Sequence, residues 1–506
     1  MGKGEISRRG GRLDLGEFLA GDRKFRHAIR VDGRGCLGFV DTKVRLLELR
    51  LANSQVMIGK KKTDVRIQNI RTSSVNYKYR APMKFGGRTV TECHLLNVEC
   101  EVVTREGRIA QGFGSMPLSN TWAFPSAVLD YDQTLSAMKT LADRCAKVCN
   151  GYAEFGHPIE IGMELEEQFL GASSSLGAEL KLAQAIPKLA TLVTGSAFDA
   201  AIHDGYGKAH GLNCYHAYGR GYMSYDLGAY MGANFNRSWL DQYVKREPCP
   251  RLPLYHLVGA LDPLTPADVA SPVGDGLPEN LPEWIFRDGL THLKIKLNGD
   301  DPSWDLERII SIDRIASDTV AGTQWRYSLD FNERCSNVEY LIELLNRLRE
   351  RSPLGFERVQ YIEQPTARDL KANPQNRMHA AAKLRPVVID ESLTDYESLV
   401  LAQEMGYTGV ALKACKGQSQ SLLLAAAARK LGLFLCVQDL TCPGASLIQS
   451  ASLAAHIPGV SGIEANSRQY CPVANEGWEE RFPGIFKIRN GDMDTSGLCG
   501  LGIGAV

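Results

Sequence analysis

The feature that most constrains this chain is a rhythm that sets in after residue 290. Short apolar runs, HLKIKL, RYSLDF, RVQYIEQ, PVVIDES, GVALKAC, LFLCVQD and VSGIEAN, alternate with amphipathic stretches such as VEYLIELLNRLRE and SQSLLLAAAARKLG. Runs this short and this rich in branched residues read as strands buried on both faces, and the longer segments between them as helices. Strands that alternate with helices pair in parallel through right-handed crossovers. Seven such strands, with RLPLYHLVGAL as a first, suit a closed (β/α) barrel better than an open sheet.

The strand ends carry charge: Lys294 and Lys296, then Asp330, Glu363, Asp390, Lys413, Asp439 and Glu464. From Lys296 the steps are 34, 33, 27, 23, 26 and 25 residues, each about one strand, helix and loop. A barrel brings such ends together at one mouth, where barrel enzymes keep their catalytic groups. A single acid there reads as a helix cap or a solvated loop group. Three acids on three consecutive strands, between lysines, do not, because three clustered carboxylates repel one another unless a cation joins them. All-oxygen ligation points to Mg²⁺, with Mn²⁺ as the substitute. In KIK, Lys294 and Lys296 share one face of their strand and both enter the mouth. A lysine beside a dication has a lowered pKa and can act as a base. Lys413 approaches from the other side, and Lys416 reads as a surface lysine. A substrate carboxylate held between two amines beside a dication can lose its α-proton, giving an ene-diolate.

The rest of the chain is less regular. Residues 1 to about 60 are basic and weakly patterned, and GKKKTD (59–64) marks a boundary. VRIQNIRTSSV, HLLNVECEVVT and REGRIAQGFGSM read as strands, with a turn at Glu106-Gly107. Residues 130 to 210 read as helices, among them GAELKLAQAIPKLATLV and a last one with Ser196 as N-cap and Gly211 as C-cap. A Tyr-rich stretch follows (Tyr215, Tyr218, Tyr222, Tyr225, Tyr230), favoured slightly as an oligomer interface over a pocket wall. Lys plus Arg equals Asp plus Glu, 58 each, so charge gives no reason to expect nucleic acid or an anionic membrane. Thirteen cysteines with no CxxC pair argue against zinc and against a disulfide framework, and fit a reducing compartment. Arg8-Arg9 is not followed by an apolar region, and no 18-residue apolar stretch exists, so neither export nor a membrane span is expected and the cytoplasm is the expected location.

THLKIKLNG, LDFNE, YIEQPT, VVIDES and GVALKACKGQS, in this order, resemble the enolase superfamily, most of all its muconate lactonizing and mandelate racemase-like branch. SAFDAAIHDGYGKAHGLNCYHAYG resembles the family's helix leading into the barrel, GRIAQGFGSMPLS the end of its capping sheet, and GDMDTSGLCGLGI its C-terminal return. The resemblance spans roughly residues 65 to 506. It implies a modified (β/α)7β TIM-type barrel with an α+β capping domain and an N-terminal extension. The expected parts are the extension 1–62, the cap 63–211, the barrel 212–474 with a Tyr-rich insertion near 215–250, and a C-terminal segment 475–506 returning to the cap. It further implies Asp330, Glu363 and Asp390 as Mg²⁺ ligands, Lys296 and Lys413 as acid/bases, and Lys294 as a holder of the substrate carboxylate. Glu464 and Asn332 fall in the expected substrate-binding set, and Asp439 is either a substrate contact or a structural cap.

Departures narrow the activity. The racemase-type His at the seventh strand end is replaced in CVQDLTC, which disfavours dehydratases that rely on it. IEAN stands where dipeptide epimerases carry DxD, and Gly417-Gln418 replaces a Gly pair. The stretch VNYKYRAPMKFGG (75–87) reads as a cap loop in which Tyr79 and Arg80 would meet a sugar-like acid. The expectation is a racemase, epimerase or dehydratase acting on a small carboxylate substrate, with muconate-type cycloisomerisation as the alternative; a homo-oligomer is expected. A non-catalytic binding barrel and an aldolase-type barrel with a Lys413 Schiff base are the rivals from other classes.

Overall fold

The computed structural model describes residues 61–85 and 88–505. The expected extension, with Arg8-Arg9, therefore lies outside the described residues except for Lys61 and Lys62. Three antiparallel strands come first, β1 (Val65–Phe85), β2 (Arg88–Thr104) and β3 (Ile109–Pro117), in the order β1-β2-β3. The stretch expected to be a cap loop is instead largely strand: β1 pairs with β2 as far as Phe85, with a register shift between Lys78 and Met83. Pro82 lies in the shifted segment, where its missing N–H breaks no ladder bond.

Helices Tyr131–Gly151 and Lys188–His210 pack on this sheet, and Pro158–Glu179 packs against both of them. Two helical expectations are corrected here. Leu180 to Pro187 is not helical, so the stretch 177–193 is broken: Lys181 closes the first helix with a left-handed backbone at φ 50, and Pro187 keeps Ile186 before it out of the helical region. Lys188–His210 then runs unbroken through Ser196, whose hydroxyl donates to Val193 O at 2.7 Å within the helix rather than capping it. Gly211 does end the helix, at φ +64. The helix lies so close to β3 that a Cβ on Gly112 would sit 2.0 Å from Ala201 O, and one on Gly114 1.9 Å from Ala197 O. The GFG of GRIAQGFGSM is thus a seat for a helix.

Among the described residues eight parallel strands close a barrel: β4 (Arg251–Val258), β5 (His292–Lys296), β6 (Arg326–Asp330), β7 (Val359–Glu363), β8 (Val387–Ile389), β9 (Gly409–Leu412), β10 (Phe434–Val437) and β11 (Val460–Glu464). Each neighbours the next, and β11 returns to pair with β4. Seven crossovers and eight strands make the (β/α)7β arrangement. Tyr255, Tyr361, Val388, Ala411 and Cys436 fill the interior as one buried cluster. A last strand, β12 (Asp492–Asp494), adds antiparallel to β4. Beyond it, Ile503 N donates to Asp204 Oδ1 of the Lys188–His210 helix at 3.1 Å, and Cys214 N to Gly502 O at 2.7 Å.

The Tyr-rich stretch also departs from expectation. Tyr215 and Tyr218 are buried, with Tyr215 stacked on His456 at 3.8 Å between ring centroids. They are core residues, unavailable to a partner; of the five, Tyr225 is exposed. No helix among the described residues is long and apolar enough to cross a membrane.

Candidate active site

Register builds the site. Lys296 pairs with Asp330 across β5 and β6, and Asp330 with Glu363 across β6 and β7, so three charged side chains stand side by side at one level. Glu363 pairs with Val388, which places Asp390, two residues on, on the same face of the neighbouring strand. β9 lies four strands from β5 in an eight-stranded ring, so Lys413, just past β9, faces Lys296 across the mouth.

Lys294 sits at the centre of an oxygen cage. Its Nζ lies 3.0 Å from Asp330 Oδ2, 3.0 Å from Glu363 Oε1, 2.9 Å from Glu464 Oε2 and 2.5 Å from Gln438 Oε1. Lys296 Nζ donates to Asp330 Oδ2 at 2.5 Å and to Asn332 Oδ1 at 2.8 Å. On the far side, Lys413 Nζ is 2.8 Å from Asp390 Oδ2. Lys416, expected at the surface, is buried: its Nζ donates to Asp390 O at 2.6 Å and Oδ1 at 3.1 Å. The correction has a simple cause, since the turn Ala414–Lys416 swings the residue back over the end of β8.

The charged groups among these are all buried, so their charges interact strongly. Burial pushes Asp330 and Asp390 up, but Lys296 and Lys294 outweigh it at Asp330, and Lys413 and Lys416 outweigh it at Asp390, which is held down to about 2. Glu363 is pushed well up, by burial and by Asp330, against the pull of Lys294. Burial opposes the charge on Lys413, yet Asp390 holds its pKa above the usual lysine range. Among carboxylates alone, Lys413 is an ammonium; the lowered pKa expected beside a dication requires the dication.

The donor set fits such an ion in chemistry. Asp330, Glu363 and Asp390 offer hard carboxylate oxygens from consecutive strands; Glu363 Oε2 is buried without a hydrogen bond, and Asp390 Oδ2 meets the Lys413 ammonium. In this structure all three carboxylates are ion-paired to lysines. Among the described residues no group of three or more His, Cys, Asp or Glu has metal-holding geometry.

The remaining expected site residues divide. Glu464 joins the Lys294 cage and accepts from Asn466 Nδ2 at 2.6 Å. Asn332 bridges Lys296 and Glu391, the latter at 3.3 Å, from a left-handed backbone at φ 44. Asp439 spends its carboxylate on backbone amides, those of Leu440 and Cys442 at 2.8 Å and Asn466 at 2.6 Å, the geometry of a cap. Tyr79 packs on Tyr470 at 6.1 Å between centroids, and Arg80 is held by Asp275 at 2.6 and 2.8 Å.

Sequence reasoning missed Gln438, Glu391 and Trp122 as mouth residues. Gln438 follows Cys436 by two, so the strand's alternation carries it inward and could have found it. Glu391 stands beside Asp390, with its carboxyl pushed up to about 7 by burial and by Asp390. Trp122 belongs to the turn Asn120–Ala123 after β3 and carries no local signal; its Nε1–H donates to Glu391 Oε1 at 2.9 Å.

Behind the mouth, the Lys188–His210 helix grips the segment after Lys413. Ser419 N and Oγ donate to Asp199 Oδ2 and Oδ1 at 2.7 and 2.8 Å, and His203 Nε2 lies 2.9 Å from Ser419 Oγ.

A parallel barrel with an antiparallel sheet and helices beside it, and a mouth of paired acids and lysines, defines a class before any comparison is made. Residues 277–505 match the family model described as Enolase C-terminal domain-like. The match makes this segment similar to the C-terminal domain of enolase-type proteins. The chain is similar in structure to the L-Ala-D/L-Glu epimerase of Bacillus subtilis (19% identity, 87% of this chain and 99% of that one, TM-score 0.56). It is similar also to a dipeptide epimerase from Enterococcus faecalis V583 complexed with Mg and the dipeptide L-Leu-L-Tyr (14%, 87% and 99%, 0.56). A third is the muconate lactonizing enzyme of Pseudomonas fluorescens complexed with muconolactone (18%, 87% and 96%, 0.55). At these identities the likeness is one of fold. A search of the curated proteins gave no match.

Proposed function

We propose that this chain is an isomerase or lyase that abstracts the α-proton of a small carboxylate substrate with Mg²⁺ bound. The observation that carries the reading is the pair of buried amines, Lys296 on Asp330 and Lys413 on Asp390, set across the mouth from each other. Asp330, Glu363 and Asp390 would hold the ion. When bound, it supplies positive charge to the substrate carboxylate and to the negative charge that grows as the proton leaves.

The protein's own groups do the rest. One lysine takes the proton from one face of the α-carbon, and the other is placed to return a proton to the opposite face. Lys294 keeps the carboxylate wall neutralised and presents an ammonium to the substrate carboxylate. Glu464 and Gln438 hold Lys294 in place. Burial of the whole set keeps water from competing for these protons. That the Bacillus and Pseudomonas proteins act as an epimerase and a lactonizing enzyme supports the class without choosing between outcomes.

The test is mass spectrometry in D₂O with Mg²⁺ over a panel of sugar acids, acylated amino acids and lactones. Deuterium gained without loss of water marks a racemase or epimerase; loss of water marks a dehydratase. Lys413→Ala should lower the rate about 10²–10⁴-fold. Activity surviving in that variant sinks the role given to Lys413.

A further inference from the structure

Tyr255 fills the barrel interior, so strand alternation turns His256 to the outer face of β4. There His256 and Gln469, the latter from the short helix Ser467–Tyr470 after β11, line a cavity of about 50 Å³. Val258, Pro263, Leu281 and the Trp284 ring add apolar wall, and none of the mouth's paired acids and lysines lines it. Where one water takes up about 10–15 Å³, such a cavity holds roughly three to five waters, or one organic molecule of about five or six heavy atoms.

The charged groups of the lining are already matched. Arg80 is held by Asp275, Asp262 accepts from Tyr470 Oη at 2.7 Å and from Gly259 N at 2.7 Å, and Glu279 accepts from Gly274 N at 2.8 Å. Two neutral groups are not matched. His256 Nδ1 and Gln469 Oε1 are buried without a hydrogen bond among the described residues, on side chains only 2% and 5% exposed. Their senses are opposite. Gln469 Nε2 donates to Leu257 O at 2.8 Å, which fixes the amide's orientation and leaves Oε1 as an acceptor. The same Nε2 lies 3.2 Å from His256 Nε2, which therefore accepts, so the ring proton sits on Nδ1. Burial, reinforced by Arg468, keeps that ring neutral. One N–H donor and one acceptor oxygen thus face a space with room for one small molecule.

We propose that this cavity binds a small neutral cis-amide, a lactam or primary amide, whose carbonyl accepts from His256 Nδ1 and whose N–H donates to Gln469 Oε1. A carboxylate has no proton for Gln469 Oε1. An open-chain secondary amide is trans, with N–H and C=O on opposite sides. The methylenes of a lactam meet the apolar wall. The site is independent of the reaction proposed above.

Saturation-transfer difference NMR on the full chain with 2-pyrrolidone tests the chemistry, and a crystal soaked in the same compound tests the place. Wild type should bind 2-pyrrolidone with a dissociation constant of about 1–10 mM. N-methyl-2-pyrrolidone and cyclopentanone, the latter no larger than the lactam, both lack the N–H and should bind at least about 10-fold more weakly. Gln469→Leu and His256→Phe, their folds verified by circular dichroism, should each weaken 2-pyrrolidone at least about 10-fold. If neither variant folds, wild type decides alone. Equal affinity for 2-pyrrolidone and cyclopentanone overturns the proposal, as does no saturable binding, or a crystal with ordered water alone in the cavity. Unchanged binding in either folded variant overturns it too.

Discussion

Replace Lys294 with methionine and the mouth loses the cation that four buried oxygens surround. Asp330, Glu363 and Glu464 lie 3.0, 3.0 and 2.9 Å from that ammonium, and all three are buried. Lys296 still serves Asp330, but Glu363 and Glu464 lose their nearest positive charge. Removing one partner from a buried ionic cluster costs about 3–5 kcal/mol, because the charges left behind are neither solvated nor paired. For a unit the size of the barrel, each kcal/mol moves the melting temperature by about 2–4 °C, so Lys294→Met should melt roughly 6–20 °C below wild type in EDTA. The strain should be shared with Glu363, whose carboxyl is already pushed toward its neutral form. Lys294→Met combined with Glu363→Gln should therefore recover about 0.5–3 kcal/mol relative to the sum of the two single changes. Differential scanning calorimetry of the four proteins gives the cycle. A fall of less than about 3 °C in Lys294→Met, or strict additivity in the cycle, would refute the claim that this ammonium neutralises the mouth.

Other outcomes follow from the same geometry. Mg²⁺ at 100 times its dissociation constant should stabilise the wild type by about 2.7 kcal/mol, and Asp390→Asn should lose that gain in a thermal-shift titration. Asp199 is half-buried beside Ser419, and desolvation pushes its carboxyl up to about 6. A raised acid stabilises the fold below its unfolded pKa, near 4, and that contribution is lost as pH rises through 6; Asp199→Asn should thus gain up to about 3 kcal/mol on the wild type between pH 4 and 7, read by urea denaturation. Asp439→Ala leaves three buried amides without their acceptor and should cost about 3 kcal/mol, with Mg²⁺ affinity within two-fold of wild type by calorimetry. Equal loss of Mg²⁺ binding in Asp439→Ala would show that Asp439 belongs to the ion's surroundings.

The barrel was legible because its strands announce themselves twice, by apolar runs and by the charge that ends each one. The spacing from Lys296 to Glu464 is enough to place seven groups at one mouth, since a barrel has only one place for strand ends to meet. What proximity in sequence could not reveal was who pairs with whom. Lys416 looked like a loop lysine, yet a three-residue turn brings it to Asp390. Trp122 reaches Glu391 across 269 residues, through a chain reversal that no local pattern encodes. The Tyr-rich segment misled for a different reason: composition reports that rings will be hidden, and cannot report whether a partner or the molecule's own His456 hides them. Helix boundaries failed where apolar periodicity ran through Pro187, a residue whose local veto outranks the pattern around it.

The closure of the barrel also sets a clock. β4 finds one of its parallel neighbours, β5, about 40 residues later, but its other parallel neighbour is β11, which the ribosome supplies some 200 residues afterwards. At about 5–20 residues per second that is a wait of roughly 10–40 s. Through this interval β4 has an open flank and the Lys188–His210 helix lacks Ile503 at Asp204. A nascent chain in this state exposes a strand edge to every neighbour on the polysome, so the burden of keeping it apart falls on chaperones during synthesis, well before the finished protein's own stability counts for anything.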